Sequence, residues 1–260
     1  MQNTVTMGGE RVLANAPTSE DERKTRIELA ACYRLARREG WDELIYNHIS
    51  ARVPGPEHHF LINPYGMLFE EITASSLVKI DLAGNKVDKS TYDINPAGFT
   101  IHSAVHEARD DAMCVIHLHT IEGVAVSCQK QGLLAISQQS LYPMMGLAYH
   151  EYEGVALNPE EKVRLVRDLG ANNSMILRNH GLLTCGRSVA DAFLFMYILQ
   201  KACEVQIRAQ SGGAELLPIA KPIVDGIRKS AKVVLRGSGG NLAWPGILRK
   251  LDRIDPSWRN

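Results

Sequence analysis

The segment Cys114-Val115-Ile116-His117-Leu118-His119-Thr120 joins an apolar run to two histidines that are separated by one residue. The apolar run predicts a strand, and side chains at positions i and i+2 of a strand project from the same face. We therefore expect His117 and His119 to lie side by side, as two ligands of one metal ion must. A second apolar run ends just before His180, which Gly181 follows. Three imidazoles with open coordination positions are typical of a catalytic metal site.

The composition is that of a large globular chain without a strong overall charge. Its 260 residues are 45% hydrophobic and 22% charged, and 29 basic residues balance 29 acidic ones. We expect one sizeable core, and neither nucleic acid nor a membrane as a partner. No apolar run approaches the ~20 residues of a membrane span. Five cysteines without C-x-x-C spacing, and no recognisable secretory signal, predict a cytoplasmic protein.

Changes in composition divide the chain into three parts. Residues 1–17 are rich in Gly, Asn and Thr and are expected to form a flexible N-terminal arm. Residues 18–212 carry the periodic segments of a folded domain. Residues 213–260 are basic, with nine Lys/Arg against three Asp from Ala220 onward. We expect this last part to pack as a strap on the domain or on a neighbouring subunit.

Short strand patterns interleaved with helical ones predict an α/β or α+β class built around one mainly antiparallel sheet. The alternation of Ile49, Ala51 and Val53 predicts a half-buried strand. Residues 133–137 are a further strand candidate, and residues 138–146 are expected to form a loop. Ser188 caps a long final helix of the domain, which we expect to reach about Gln210.

Several segments together resemble the class II aldolase/adducin family. They cover most of the region from about residue 25 to residue 210, and they are Tyr46-Asn47-His48-Ile49-Ser50-Ala51-Arg52, Asn63-Pro64-Tyr65-Gly66, Leu77-Val78-Lys79-Ile80-Asp81, Ile116-His117-Leu118-His119-Thr120 and Arg178-Asn179-His180-Gly181. The resemblance implies an α/β/α sandwich around a mainly antiparallel central sheet and a small-molecule substrate. It also implies a divalent metal and a homotetramer with its sites at subunit interfaces.

The resemblance assigns roles to particular positions of this sequence. His117, His119 and His180 match the metal-binding histidines of the family, for which zinc is the favoured ion. Imidazole ligands also suit Mn, Fe, Co and Ni. Asn47 and Gly66 match positions that help to hold the phosphate in sugar-phosphate members. Two further readings stay open from the residues alone: Asn47 could instead be a turn residue, and Asn63 with Gly66 could present backbone N–H groups to an anion.

The sequence departs from the aldolases where their acid/base glutamate stands. Gly98 occupies that position, and Pro96 and Ala97 replace the phosphate-binding serines, as in the adducin-type branch. The candidates for a replacement acid or base are Tyr142, Tyr65 and His102. A metal-bound hydroxide that moves its own proton is a further alternative.

Other polar residues near these motifs have two readings each. His102 and His106 are four residues apart on a predicted helix, so they could form a second metal site or support the first. Arg178 could pair with a substrate carboxylate or with a structural acid. Cys114 and Cys185 lie in apolar strands and are expected to be core residues.

These residues favour a metal-dependent carbon–carbon lyase that acts on a small hydroxy-carbonyl or hydroxy-acid compound. Aldol cleavage and decarboxylation both fit, because each needs a Lewis acid to polarise the substrate. The alternative is a non-catalytic adducin-like module for oligomerisation or partner binding, with a vestigial metal site.

Overall fold

A computed structural model describes residues 18–154, 160–235 and 239–260. The seven described strands are β1 His48–Arg52, β2 Phe60–Ile62, β3 Val78–Ile80, β4 Cys114–Leu118, β5 Leu147–His150, β6 Ser174–Leu177 and β7 Gly181–Gly186. The described α-helices are α1 Glu20–Arg38, α2 Pro96–Ala108, α3 Ile121–Ser127, α4 Gln138–Met144, α5 Glu161–Leu169, α6 Val189–Ser211, α7 Lys221–Leu235 and α8 Trp244–Asp252. The predicted arm, residues 1–17, lies outside the described residues.

The strands form a single seven-stranded sheet in the order β3-β2-β1-β4-β7-β6-β5. Its described pairs are antiparallel except for β5 with β6, which run parallel. The predicted mainly antiparallel sheet of an α/β protein is therefore confirmed. Strand β4 lies in the middle, where its His117 pairs with His48 of β1 on one side and with Leu183 of β7 on the other.

Helices cover both faces of this sheet, because alternate residues of the central strands are apolar on both sides. On one face Ile116 and Leu182 join a core with α1 and α6. On the other face Val115 and Leu183 pack with α2 and α5. This arrangement is the expected sandwich of three layers.

The prediction that β1 is half-buried is wrong, since all five of its residues are buried. Ile49 and Ala51 contact the larger core, as their alternation indicates. The opposite face carries His48, Ser50 and Arg52, and these polar side chains are buried too. Polar residues can be buried where hydrogen bonds satisfy them, and His48 of this face lines the site described below.

The predictions for residues 133–146 are also wrong. No strand forms at residues 133–137 in the described structure, because other groups form hydrogen bonds with this backbone. Tyr149 and Gln206 accept from the backbone N–H groups of residues 133 and 134, and the backbone N–H of Ile219 donates to the backbone oxygen of residue 135. Residues 138–144 form helix α4 instead of a loop. Ser137 caps that helix in a reciprocal pair of hydrogen bonds with Ser140.

The described part of the basic C-terminal segment packs against the domain. Trp258 is fully buried, and Trp244 and Leu251 join the larger core. Arg34 of α1 also forms a salt bridge with Asp255. The boundary at residue 212 stays a prediction. Within the described ranges, no helix combines the length and apolarity that a membrane crossing needs.

Candidate metal site

Three histidines meet at the ends of two inner strands of the sheet, where β4 ends and β7 begins. The ring centroids of His117, His119 and His180 lie 4.7–4.8 Å apart. One candidate ligand atom from each ring falls within 4.8 Å of the others. His117 is the buried member, and the other two are partly exposed. The spacing of the first two histidines and the position of the third thus produce the cluster that the sequence predicts.

The turn between β6 and β7 brings His180 to the other two rings. Asn179 has a positive φ of 55°, which asparagine adopts more readily than most residues. Gly181 then lets β7 approach β4 closely, since a Cβ at this position would lie 2.6 Å from the carbonyl oxygen of Leu118. The sequence Asn-His-Gly therefore has a steric reason on both sides of the histidine.

Hydrogen bonds fix the orientation of His117 and His119. The Nδ1 atom of His117 lies 3.0 Å from the backbone oxygen of Leu182, and Nδ1 of His119 lies 2.6 Å from the Glu43 carboxylate. Both partners are acceptors, so Nδ1 carries a proton in each ring, which leaves Nε2 as the candidate ligand atom. A carboxylate or carbonyl behind the imidazole is the usual support of a metal-binding histidine.

The two Nε2 atoms lie only 3.0 Å from each other. Two lone pairs repel at this distance unless a cation or a proton lies between them. Burial also lowers the pKa of His117 far below its usual value and that of His180 to about 4, so both rings are neutral at neutral pH. Three converging imidazoles, of which His117 and His180 are neutral, fit a divalent metal ion.

A cavity of about 350 Å³ opens onto the three histidines. The other described residues that line it are Tyr46, His48, Asn95, Gly98, Ile101, Tyr152, Gly154 and Asn179. No Asp, Glu, Lys or Arg is among these described lining residues. Tyr46 and Tyr152 are about half exposed, with 51% and 53% of their surface accessible, and they stand at the mouth of the cavity.

The residues predicted to act as acid or base do not line this cavity in the described part of one chain. Tyr142 lies in α4 and lines a different cavity of about 140 Å³. Tyr65 is 41% exposed on the loop after β2. His102 is fully buried behind the cavity. A catalytic role for each stays a prediction.

The predicted substrate-binding residues are not cavity-lining either, in the described structure. Asn47 is fully buried, and its side-chain oxygen accepts a hydrogen bond from the backbone N–H of Glu43, at 2.7 Å. Asn47 thereby holds the loop that carries the carboxylate behind His119. The side-chain oxygen of Asn63 accepts from the Tyr33 hydroxyl, at 2.9 Å. Gly66 has a positive φ of 100° in an exposed turn.

His102 and His106 belong to a hydrogen-bonded chain and not to a second metal cluster within the described residues. Nδ1 of His106 lies 2.9 Å from the backbone oxygen of Ala112 and must donate to it. Its Nε2 therefore accepts from the Ser50 hydroxyl, at 2.7 Å, and Ser50 in turn accepts from Nδ1 of His102, at 2.6 Å. The remaining atom, Nε2 of His102, is a buried lone pair without a partner among the described residues.

Sequence reasoning missed two residues of the site, Glu43 and His48, and it left the role of Arg178 open. Glu43 lies in an irregular loop, where no spacing connects it to His119. His48 follows Asn47 in a matched segment, but the strand pattern alone does not say that its ring faces the metal candidates. Arg178 stacks over the Tyr149 ring at 4.3 Å and donates to the backbone oxygen of Gln129. Neither of these contacts is with the structural acid that the sequence suggested, and pairing with a substrate carboxylate stays a prediction. Cys114 and Cys185 are buried, as expected for core residues.

A sequence model of the Class II Aldolase and Adducin N-terminal domain matches residues 27–207. The chain belongs to the class II aldolase/adducin family. A Pseudomonas aeruginosa protein with a provisional class 2 aldolase name is 62% identical over 94% of this chain and 95% of its own length. Mouse alpha-adducin is 48% identical over 77% of this chain, but the match spans only 28% of the adducin.

Solved structures of the class II aldolase/adducin family share the fold. An aldolase II superfamily protein from Pseudomonas syringae superimposes with a TM-score of 0.90 and 49% identity, over 94% of this chain and 98% of that one. The L-fuculose 1-phosphate aldolase of Glaciozyma antarctica superimposes with a TM-score of 0.79 and 25% identity, over 97% and 100% of the two chains. The sequence-based assignment to this family is confirmed.

Proposed function

We propose that this protein is a divalent-metal-dependent carbon–carbon lyase, an aldolase or decarboxylase, for a small hydroxy-carbonyl or hydroxy-acid substrate. The observation that carries the proposal is the convergence of three imidazoles at the wall of a cavity, with Nε2 of His117 and Nε2 of His119 only 3.0 Å apart. A metal ion at this point would bind one nitrogen of each of the three rings. The aldolase relatives support the same chemistry.

His117, His119 and His180 would hold the ion, with zinc favoured and Mn, Fe, Co or Ni as the other candidates. Such an ion acts as a Lewis acid that polarises a substrate carbonyl. The chain's own groups have separate tasks. The Leu182 carbonyl and the Glu43 carboxylate keep two of the rings oriented. No Lys or Arg is among the described lining residues, so the ion would be the main positive charge in the cavity.

Pro96 and Ala97 stand where the sugar-phosphate members have phosphate-binding serines, which argues against a phosphorylated substrate. A small acid or hydroxy-ketone would bind through the metal itself. We therefore propose that the substrate carries adjacent oxygens and no phosphate.

We further propose a cytoplasmic homotetramer. Leu44, in the loop beside the site, is 64% exposed, and Ile121, two residues after His119, is 81% exposed. A second subunit that covers these two side chains would remove their apolar surface from water, which stabilises an assembly. Light scattering coupled to size-exclusion chromatography measures the mass, and a monomer at micromolar concentration contradicts this part.

The first test is the metal content of protein purified without added metal. We expect about one equivalent of divalent metal per chain by elemental analysis, and its loss in the His180→Ala variant. His59→Gln is the matched control, since His59 lies outside the cluster. A panel of hydroxy acids, keto acids and phosphorylated ketoses then tests turnover. No stoichiometric metal in the wild type, and no gain in Tm with zinc or manganese, would overturn the proposal.

The second candidate is a non-catalytic module for oligomerisation or partner binding, as in the adducins. Its support is Gly98, which leaves position 98 without the carboxylate of the aldolases. Metal-free protein that is fully folded and oligomeric, with no turnover of the panel, would favour this alternative.

A further inference from the structure

The helix α2 approaches the cavity at Gly98, and the structure gives this glycine a steric role. A Cβ built on Gly98 would lie 2.4 Å from Cδ2 and 2.8 Å from Nε2 of His48. Real Cβ atoms do not come so close to another heavy atom. The imidazole of His48 therefore occupies the space that any side chain at position 98 would need.

The His48 ring lies on the same side of the sheet as His117. The two residues are directly opposite each other in the antiparallel pair of β1 and β4, and directly opposite residues project from one face. His48 is 3% exposed, yet its ring lines the cavity. It is not one of the three clustered metal-ligand candidates among the described residues.

Burial lowers the pKa of His48 to about 4, so its ring is uncharged at neutral pH. A neutral imidazole has one N–H donor and one acceptor nitrogen. The ring thus brings an uncharged hydrogen-bond acceptor to the cavity beside the metal candidates.

We propose that His48 is a substrate-binding residue whose free ring nitrogen accepts a hydrogen bond from a substrate hydroxyl, in the place where a side chain at position 98 would stand. Gly98 makes room for this ring. A carboxylate at position 98 would also be an acceptor, but its charge would repel an anionic substrate. A neutral imidazole accepts a hydrogen bond from a hydroxyl next to a carboxylate without repelling the carboxylate. A 2-hydroxy acid therefore fits this position. It rests on the proposed metal-dependent function.

The steric part is tested by a double-mutant cycle that needs neither metal nor substrate. Gly98→Ala should lower the Tm in the wild-type background, because the added methyl meets the ring. In a His48→Ala background the same change should leave the Tm unchanged or raise it, since alanine is a better helix residue than glycine. His48→Asn is a second background if His48→Ala does not fold. An equal change in Tm in both backgrounds overturns the steric assignment.

The binding part is tested by calorimetry on zinc-loaded protein, with glycolate as the hydroxy-acid probe and acetate as the probe that lacks the hydroxyl. His48→Leu keeps a side chain of similar volume but removes the acceptor. We expect this variant to bind glycolate about 2- to 10-fold more weakly, the range for one hydrogen bond, and acetate unchanged. His48→Asn, which keeps an acceptor, should recover part of the loss.

Elemental analysis of the same samples separates the possible failures. Zinc absent from the wild type overturns the proposed function and this inference together. Zinc present in the wild type but lost in His48→Leu makes His48 a metal ligand, which overturns the inference alone. Unchanged glycolate binding with zinc retained also overturns the inference alone. Weaker glycolate binding with zinc retained supports both.

Discussion

The two histidine groups on one side of the central sheet differ in what their nitrogens face. In His117 and His119 the Nδ1 atoms are held by acceptors, and the Nε2 atoms converge at a cavity. In His102 and His106 the nitrogens are joined through Ser50, and both rings are fully enclosed. The first group can offer its Nε2 atoms to a metal ion. The second uses its nitrogens to hold α2 against β1, so histidine spacing alone does not distinguish a ligand set from a structural network.

The largest effect that separates the two groups should come from Ser50→Ala. This change leaves Nδ1–H of His102 and Nε2 of His106 without their partner inside the protein. A buried unsatisfied group costs roughly 1–3 kcal/mol, so we expect unfolding in urea to show a loss of about 2 kcal/mol or more. The exposed Ser75→Ala is the control and should stay within about 0.5 kcal/mol.

Metal content sharpens the same test, since Ser50→Ala should keep its zinc if the two groups are independent. A variant that is as stable as the wild type would mean that the Ser50 hydroxyl does not carry the network. Loss of zinc with retained stability would reverse the roles of the two groups.

A smaller effect is expected for Glu43→Gln in the first group. The amide can still accept from Nδ1 of His119, but without the negative charge that strengthens the hydrogen bond. Partners behind metal-binding histidines typically contribute 10–100-fold to metal affinity, and we expect a loss in that range. Competition with a fluorescent zinc chelator measures it. Glu107→Gln, an exposed change on α2, is the control, and equal affinities of both variants would remove Glu43 from the site.

The smallest expected effect is a change in the pH dependence of stability through His106. Burial lowers its pKa to about 3, whereas an unfolded histidine titrates near 6.5. The unfolded chain therefore binds a proton that the folded one does not as the pH falls from 6.5 towards 3. Stability is full above pH 6.5 and decreases below it, by up to about 1.4 kcal/mol per pH unit for this residue.

Urea unfolding of metal-free protein between pH 6 and pH 5 measures this slope. His106→Gln should have a shallower slope than the wild type, by up to one proton, while the exposed Ser75→Ala, which removes no titratable group, should keep the wild-type slope. Equal slopes for all three proteins would mean that His106 does not stay neutral in the folded state.

The sequence by itself determined much of the fold and the centre of the site. The i, i+2 spacing of His117 and His119 at the end of an apolar run dictates that both rings project from one face of a strand. Asn179 and Gly181 have a local conformational reason, a positive φ and a close strand contact, that makes the turn around His180 readable. The matched segments indicated the family and its mainly antiparallel sheet. These features depend on residues that are near neighbours in the chain.

The tertiary structure alone decided which polar residues complete the site. The irregular residues before helix α4 depend on backbone hydrogen bonds to Tyr149 and Gln206, 16 and 72 positions along the chain. Glu43 reaches His119 across 76 positions of sequence. Gly98, which the sequence marks only as a missing carboxylate, lies against the ring of His48. Periodicity reports which face a side chain takes, but contacts between distant segments determine what that side chain meets there.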